Sequence, residues 1–172
     1  MTGPASQQFQ VTFQPLTIAD AREVLSWRYA APYDRYNMAG DAAALVAGVA
    51  ALTDPANAYF AAHDAASEVI GFCCFGADAR VPGGNYADID ALDVGLGLRP
   101  DHTGRGLGTA YVRQVLTFGR KVYAPARFQL TVAAFNARAL AVYGRCGFRE
   151  HSQFRKGGSP DGDEFVLLTR DA

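Results

Sequence analysis

The chain has 172 residues, of which 49% are hydrophobic, and its charged side chains nearly balance at a formal net charge of -1. This length and composition predict one globular domain spanning residues 1–172. The balanced charge argues against a broad basic surface for nucleic acid or anionic lipid. No stretch approaches the roughly 18 consecutive apolar residues of a membrane span, and Met1–Ser6 lacks a signal-peptide pattern, so we expect a cytoplasmic protein without a membrane partner.

The cysteines indicate a reducing compartment. Cys73, Cys74 and Cys146 are odd in number and lack the spacing of zinc ligands, and the first two lie inside the apolar run "VIGFCCF". We therefore expect buried thiols and not a catalytic or metal-binding role. The three histidines are scattered along the chain as well, so no metal ion is predicted and a hydrolase triad has no support.

Strand and helix patterns alternate in the first half of the chain. Residues 9–16 alternate apolar and polar side chains at the period of a half-buried strand. Thr17 and Asp20 have the spacing of a capping box, which predicts a helix from there to about Tyr29. A second helix is predicted over residues 42–52, and the runs "AYFAAHD" and "EVIGFCCFG" predict an antiparallel hairpin.

Between the two helices lies the irregular segment "AAPYDRYNMAGD", residues 30–41, and we call this segment, together with Trp27 and Tyr29 just upstream of it, the aromatic loop. Its rings could form a pocket for a cationic amine, because the faces of aromatic rings attract cations. They could equally be core anchors, since aromatic residues dominate burial in small domains. The residues concerned are Trp27, Tyr29, Tyr33 and Tyr36.

The second half of the chain predicts strand, helix, strand, helix and hairpin in that order. "YADIDALDVGLGLRP" is a long strand candidate in which Leu92, Val94, Leu96 and Leu98 share one face. Helical spacing begins at Leu107, "RFQLTVAAFN" returns to the strand period, and the helix "NARALAVYGRC" follows, with the next glycine placed to end it. "FREHSQFRK" and "EFVLLTR" predict a closing hairpin. These elements predict the α/β class, with a mixed, mostly antiparallel sheet flanked by helices.

The segment "TGRGLGT", residues 103–109, which we call the glycine loop, joins the long strand to a helix. It has no Walker-type lysine, and Thr109 replaces the last glycine of a dinucleotide fingerprint. Two interpretations remain. In one, Gly104, Gly106 and Gly108 let backbone N–H groups cradle a pyrophosphate at a helix N-terminus; in the other, the loop is a tight turn that binds nothing. The side chains that would add positive charge there are Arg99, His102 and Arg105.

"LDVGLGLRPDHTGRGLG" resembles the coenzyme A signature of the GNAT superfamily of N-acetyltransferases, in which a strand leads into a Q/R-x-x-G-x-G/A loop and a helix. Asn136, seven residues before Tyr143, and the pair Gly147-Phe148 extend the resemblance over about residues 88–150. Thr103 departs from the pattern, because the family usually has Gln or Arg there. "WRYAAPYDRYN" is also similar to a narrower GNAT-like group with the pattern W-x-Y-x-x-P-Y-x-x-Y.

The resemblance implies a GNAT-like acyl-CoA N-acyltransferase fold and acetyl-CoA as the co-substrate. It implies main-chain contacts from Leu96, Gly97 and Leu98 to the pantetheine arm. Asn136 would touch the same arm, and Tyr143 would lie by the thioester sulfur. The residues implied to hold the pyrophosphate are Gly104, Arg105, Gly106, Leu107, Gly108 and Thr109.

Acetyl transfer to an amine needs a donor for the developing oxyanion and a proton for the departing thiolate. A backbone N–H near Leu98 is the predicted oxyanion donor. Tyr143 is the predicted general acid, because a phenol is protonated at neutral pH. Packing is the plain alternative for Tyr143, and helix capping is the alternative for Asn136.

The reaction also needs a base, and Asp93 is the predicted one. An ideal strand directs its side chain to the face that Gly95 and Gly97 leave empty, with room to act through water. A solvated carboxylate or a salt bridge to a nearby arginine explains Asp93 equally well. Asp88 and Asp90, which we expect to line the approach to the glycine loop together with Asp93, are the other two candidates.

We therefore expect an acetyltransferase that acts directly on a primary amine of a small molecule, since the motif holds no activated cysteine. One alternative acceptor is a protein N-terminus or lysine. A rival of another class is a non-catalytic module that binds acyl-CoA as a sensor. The sequence leaves the oligomeric state open, with a homodimer as one option.

Overall fold

A computed structural model describes residues 9–172, which form one α/β domain around a seven-stranded sheet. The strands are β1 (Thr12–Pro15), β2 (Tyr59–His63), β3 (Val69–Phe75), β4 (Ala91–Leu98), β5 (Arg127–Ala133), β6 (Arg149–Arg155) and β7 (Glu164–Asp171). The helices are α1 (Ile18–Ser26), α2 (Ala42–Thr53), α3 (Gly108–Tyr123) and α4 (Ala137–Arg145). Within these residues, no helix has the length and apolar character needed to cross a membrane.

The strand order is β1-β2-β3-β4-β5-β7-β6, and every neighbouring pair is antiparallel except β4 and β5. The predicted mixed, mostly antiparallel sheet is thus confirmed. Both predicted hairpins form, β2 with β3 and β6 with β7. β7 also pairs with β5, so the last strand of the chain lies inside the sheet and β6 lies at its edge.

The one parallel pair is short. Ala91–Asp93 of β4 pairs with Arg127–Gln129 of β5, whereas β4 continues to Leu98 and β5 continues to Ala133 without further pairing between them. The two strands therefore diverge beyond Asp93. We call the space between their diverging halves the strand gap.

Local sequence signals predicted the start of α1 and the end of α4 correctly, but not the end of α1. The Thr17 hydroxyl accepts a hydrogen bond of 3.2 Å from the Asp20 N–H, and the Asp20 carboxylate accepts one of 2.9 Å from the Thr17 N–H, so the predicted capping box is confirmed. Gly147 ends α4 with a φ of +85°, the left-handed conformation expected there. The prediction that α1 reaches Tyr29 was wrong, because the helix ends at Ser26.

The sheet carries a hydrophobic core on each face. One core packs β-strand side chains against α3 and α4, around the fully buried Tyr111 and Phe128. The other packs α1 and α2 on the opposite face and includes Trp27. The cysteines are free and buried, as predicted. The predicted strand "YADIDALDVGLGLRP" proved too long, because regular pairing begins only at Ala91.

Candidate active site

The glycine loop has the backbone shape of a cradle. Gly104 and Gly106 adopt φ of +73° and +78°, which side chains other than glycine rarely adopt. A Cβ at Gly106 would meet no atom within 4 Å, so the loop is open on that side. α3 begins at Gly108, and Leu107 before it supplies no side-chain cap. The first N–H groups of α3 are therefore available to an anion.

Two of the three side chains expected to add positive charge to this loop already have carboxylate partners. Arg99 binds Asp101 at 2.8 Å and 3.2 Å and reaches Glu68 at 3.3 Å. His102 Nδ1 lies 2.8 Å from the same Asp101 carboxylate. Hydrogen bonds from Arg99 and His102 hold the pKa of Asp101 well below its usual range. Arg105 is exposed and has no carboxylate partner among residues 9–172.

Arg138, which the sequence analysis did not single out, faces the glycine loop from α4. Its guanidinium lies 4.0 Å from the position of a Cβ on Gly104, and it also covers the Tyr33 ring at 4.3 Å. Thr103 turns its hydroxyl inward and donates to the Pro100 carbonyl at 2.7 Å. The cation beside the loop therefore comes from the next helix and not from position 103.

Backbone groups of β4 face the strand gap. The Arg99 N–H donates to the Ile70 carbonyl at 2.8 Å, and the Asp93 carbonyl accepts from the Gly76 N–H at 3.0 Å. In an antiparallel pair, the residues that bond to the partner strand alternate with residues whose N–H and C=O point away. The backbone N–H and C=O groups of Leu96 and Leu98 therefore point away from β3 and toward the strand gap. The sequence predicted an oxyanion donor at this position.

The aromatic loop closes over this part of β4. The Tyr29 hydroxyl donates to the Leu98 carbonyl at 2.9 Å, and the Tyr29 N–H donates to the Asn37 side chain at 2.8 Å. Burial raises the pKa of Tyr29 to about 12, so its phenol keeps its proton at neutral pH. The Tyr36 ring lies edge-on to Tyr29, with ring centroids 6.4 Å apart.

Phe135, at the end of β5, is a second residue that the sequence analysis missed. Its ring lies 6.1 Å from Tyr33 and 6.1 Å from Tyr36, so it joins the aromatic loop to the β5 side of the strand gap. The only sequence signal was its place beside Asn136 at the strand-to-helix junction. Trp27 does not join this cluster. It is buried against Phe72, with ring centroids 6.1 Å apart, so its predicted substrate contact is corrected to a core role.

Asn136 connects α4 to the aromatic loop. Its side-chain oxygen accepts from the Ala139 N–H at 3.0 Å, which confirms the helix cap, and its amide N–H donates to the Tyr36 hydroxyl at 3.1 Å. Tyr143 lies two turns further along α4, buried and packed edge-on against Phe148. Burial, with a smaller effect from nearby Tyr36, raises the pKa of Tyr143 above its ordinary value. Its phenol is thus protonated at neutral pH and next to the aromatic loop.

Asp93 does not have the free position that the ideal strand predicted. It is only 3% exposed, and its two carboxylate oxygens accept hydrogen bonds from Arg80 at 2.7 Å and from Gln129 at 2.6 Å. The face beside Gly95 is filled as well, since a Cβ there would lie 2.7 Å from the Cys74 sulfur. The expectation of room to act through water was wrong, and the salt-bridge alternative is the one observed.

Asp88 and Asp90 lie at the far end of β4. The Asp88 carboxylate accepts two hydrogen bonds from Arg127, at 2.9 Å and 3.1 Å, and this pairing lowers its pKa. Both residues precede Ala91, and an eight-residue strand at about 3.3 Å per residue places them roughly 25 Å from the glycine loop. The expectation that they line the approach to the loop was therefore wrong.

The profile of the acetyltransferase (GNAT) family matches residues 19–148, about three quarters of the chain. The chain belongs to the GNAT acetyltransferase family. As a GNAT protein it is an acetyl-CoA-dependent N-acetyltransferase. A search of curated proteins found no match.

Solved structures of other GNAT enzymes share the fold. A chimera of the spermidine N-acetyltransferase SpeG from Vibrio cholerae and hSSAT has a TM-score of 0.72 and 19% identity, covering 95% of this chain and 96% of that one. The Vibrio cholerae spermidine N-acetyltransferase in complex with CoA and spermine has a TM-score of 0.71 and 17% identity, covering 94% and 95%. A GNAT acetyltransferase from Bacillus anthracis has a TM-score of 0.71 and 13% identity, covering 96% of each chain. At these identities the likeness establishes the GNAT fold and not the acceptor.

Proposed function

We propose that this GNAT protein moves the acetyl group of acetyl-CoA directly to the primary amine of a small molecule. The observation that carries the proposal is the 2.9 Å hydrogen bond from the Tyr29 hydroxyl to the Leu98 carbonyl. It joins the aromatic loop to the strand that the family resemblance assigns to the pantetheine arm. An amine held by the rings of the loop would therefore lie beside the thioester.

The residues around the strand gap fit acetyl-CoA. The open Gly106 and the uncapped start of α3 suit a pyrophosphate, and the groups of Leu96 and Leu98 that point away from β3 suit an amide-containing arm. Bound acetyl-CoA would supply the activated acetyl thioester. On this proposal, Gly104 to Thr109, including Arg105, hold the pyrophosphate, and Arg138 supplies a cation beside them.

Two groups of the chain would serve the chemical step. The Leu98 N–H would stabilise the negative charge that develops on the acetyl oxygen, because a fixed backbone donor needs no reorientation during the reaction. Tyr143 would give its proton to the departing thiolate, since its raised pKa keeps the phenol protonated at neutral pH. We do not propose Asp93 as the base, because Arg80 and Gln129 hold its carboxylate.

The cysteines support direct transfer without an acetylated enzyme. Burial raises the pKa of Cys73 well above its ordinary value and that of Cys74 to about 12. Burial also raises the pKa of Cys146, despite three arginines nearby. A thiol must ionise to attack a thioester, so these side chains are poor nucleophiles.

The charges around the aromatic loop favour an acceptor with a single amine. Arg138 covers Tyr33, and Arg35 covers Phe135 with its guanidinium 5.1 Å from the ring centroid. Arg35 is paired with Asp163 at 2.9 Å, whereas Arg138 has no carboxylate partner among residues 9–172. An acceptor with several positive charges would be repelled by Arg138, and a monoamine with an apolar body would pack on the exposed rings.

Calorimetric titration with acetyl-CoA, followed by a screen of amines for release of free coenzyme A thiol, tests the proposal. We expect acetyl-CoA to bind, NADH and ATP not to bind at the same salt concentration, and turnover with apolar monoamines to exceed that with spermidine. Turnover only with peptides would contradict a small-molecule acceptor and indicate a protein acceptor instead. If acetyl-CoA binds but no amine raises the release of coenzyme A above the rate of acetyl-CoA hydrolysis, the protein is the non-catalytic acyl-CoA-binding module.

A matched pair of glycine variants locates the binding site. Gly106→Ala and Gly158→Ala both place a Cβ on a left-handed residue, at φ of +78° and +69°, and neither Cβ meets an atom within 4 Å. Each variant should lose about 1 kcal/mol of stability from backbone strain. Only Gly106→Ala should weaken acetyl-CoA binding, by at least tenfold. Equal affinities in the two variants would exclude the glycine loop as the cradle.

A further inference from the structure

A cavity of about 730 Å³ lies away from the strand gap and is strongly basic. Its walls come from the ends of α4 and β7, the starts of β5 and β6, and one turn of α3. Five arginines and a single acid contribute to it, in a chain whose net charge is only -1. The charged residues are Arg113, Arg127, Arg145, Arg149, Arg170 and Asp171. We call this feature the arginine cavity.

Most of these guanidinium groups have no carboxylate partner within the part of the chain that the structure describes. Arg127 is paired with Asp88, but the salt bridges of residues 9–172 include none to the other four arginines. The first eight residues, "MTGPASQQ", hold no acidic side chain that could pair with them. Several like charges around one concave surface repel each other, so a multiply charged anion would stabilise this arrangement.

The arginine cavity is built on regular secondary structure. Arg113 lies on α3, Arg145 on the last turn of α4 and Arg149 at the start of β6. Arg170, near the end of β7, is fixed by donating to the Cys146 carbonyl at 2.6 Å, which satisfies a group at the end of α4. Guanidinium groups held by rigid elements suit the bidentate recognition of phosphate oxygens.

We propose that the arginine cavity is a binding site for a phosphate monoester. Its volume falls within the roughly 300–1,000 Å³ of small-ligand pockets, so it has room for more than the phosphate itself. It also adjoins the glycine loop, because the buried Cys146, which lines it, directs its thiol to the Thr109 carbonyl at 3.7 Å. The monoester has two chemical sources: a separate phosphorylated metabolite, or the ribose 3′-phosphate of acetyl-CoA, and the second source rests on the proposed function.

Calorimetry on the full chain at low salt tests the site with two pairs of ligands. The first pair is adenosine 3′-monophosphate and adenosine, and the second is acetyl-CoA and its 3′-dephospho form. The test variant is Arg113→Gln with Arg149→Gln, which removes two exposed cations and spares the anchoring Arg170. The control is Arg22→Gln with Arg120→Gln, which makes the same charge change at exposed helical positions outside the cavity. Thermal unfolding checks that both variants keep the fold.

If the cavity binds phosphate monoesters, adenosine 3′-monophosphate binds and adenosine does not, whichever source supplies the phosphate. The cavity variant then loses at least tenfold in affinity and the control less than twofold. If acetyl-CoA is the source, its 3′-phosphate raises affinity at least tenfold over the 3′-dephospho form, and the cavity variant abolishes that preference. If a separate metabolite is the source, acetyl-CoA and its 3′-dephospho form bind equally. Equal losses of affinity in the cavity variant and the control would overturn the proposal, and so would the absence of any effect of the phosphate in either ligand pair. Loss of monophosphate binding in Gly106→Ala alone would also overturn it, because the monophosphate would then bind at the glycine loop. Arginine-dependent binding of the monophosphate without acetyl-CoA binding would refute the proposed function and leave this site intact.

Discussion

The Tyr29 hydroxyl and the Leu98 carbonyl are hydrogen-bonded at 2.9 Å although 69 residues separate them in the chain. This bond attaches the aromatic loop to β4 where the strand faces the gap. It therefore couples the position of the proposed acceptor pocket to the strand proposed to bind acetyl-CoA.

Tyr29→Phe should lower the free energy of unfolding by about 1 kcal/mol, because it removes one hydrogen bond and keeps the ring. The KM for the amine should rise several-fold as the loop loosens. Folding raises the pKa of Tyr29 from 10.0 to about 12, so the stabilisation is complete below pH 10 and falls as pH rises toward 12. Urea unfolding from pH 6 to 9 should accordingly show a constant difference in the free energy of unfolding between Tyr29→Phe and wild type. Tyr123→Phe, which changes a partly exposed phenol elsewhere, is the control and should stay within about 0.5 kcal/mol of wild type.

Tyr143→Phe should reduce kcat about 100-fold while the fold and acetyl-CoA affinity persist, because the variant keeps the ring against Phe148 and loses only the proton donor. Since burial raises the pKa of Tyr143 above 10, wild-type kcat should show no loss from ionisation of this phenol below that pH. Steady-state kinetics across pH measures both effects. An unchanged kcat at every pH would assign Tyr143 to packing alone.

Arg80→Met and Asp93→Asn should differ in stability although they break the same ion pair. Arg80→Met leaves the buried Asp93 carboxylate without its cation and should cost about 3 kcal/mol. Asp93→Asn should lower the free energy of unfolding by only about 1 kcal/mol, because the Arg80 side chain is 42% exposed and water can solvate it. Chemical denaturation gives both values.

The same Asp93→Asn variant decides whether Asp93 has a role in proton transfer. We expect kcat and its pH profile to remain close to those of wild type, since Arg80 and Gln129 engage both carboxylate oxygens. A fall of about 100-fold or more, with the acidic limb of the profile lost, would restore Asp93 as the general base.

Asp20→Asn tests the capping box through its pH dependence. Partial burial raises the pKa of Asp20, but hydrogen bonds from Thr17 and His63 outweigh it and leave the pKa below its usual value. A carboxyl whose pKa falls on folding stabilises the protein above its ordinary pKa of 3.8, and this is lost as pH drops further. Asp20→Asn should therefore cost about 1 kcal/mol at pH 7 and less at pH near 3. Urea unfolding at several pH values checks this, with the exposed Asp161→Asn as a control; parallel curves for Asp20→Asn and wild type would contradict it.

The sequence by itself determined the features that depend on near neighbours in the chain. The capping box of Thr17 and Asp20, the start of α3 beside the glycine loop, the left-handed Gly147 and both hairpins were predicted, because backbone conformation and local hydrogen bonds depend on residues a few positions apart. The GNAT signature was visible for the same reason, since the glycine loop and its flanking strand and helix form one continuous segment.

Only the tertiary structure decided features that join distant segments. The ion pair that holds Asp93, the contact of Phe135 with the aromatic loop and the approach of Arg138 to Gly104 each bring together side chains that no periodicity relates. The sequence left Trp27 open between a pocket and the core, because a ring that lines a pocket and one that fills a core have the same local sequence pattern, and the structure places it in the core. Pairing of β4 with β5, which lie far apart in the chain, ends at Asp93, and that divergence opens the strand gap on which the proposed chemistry depends.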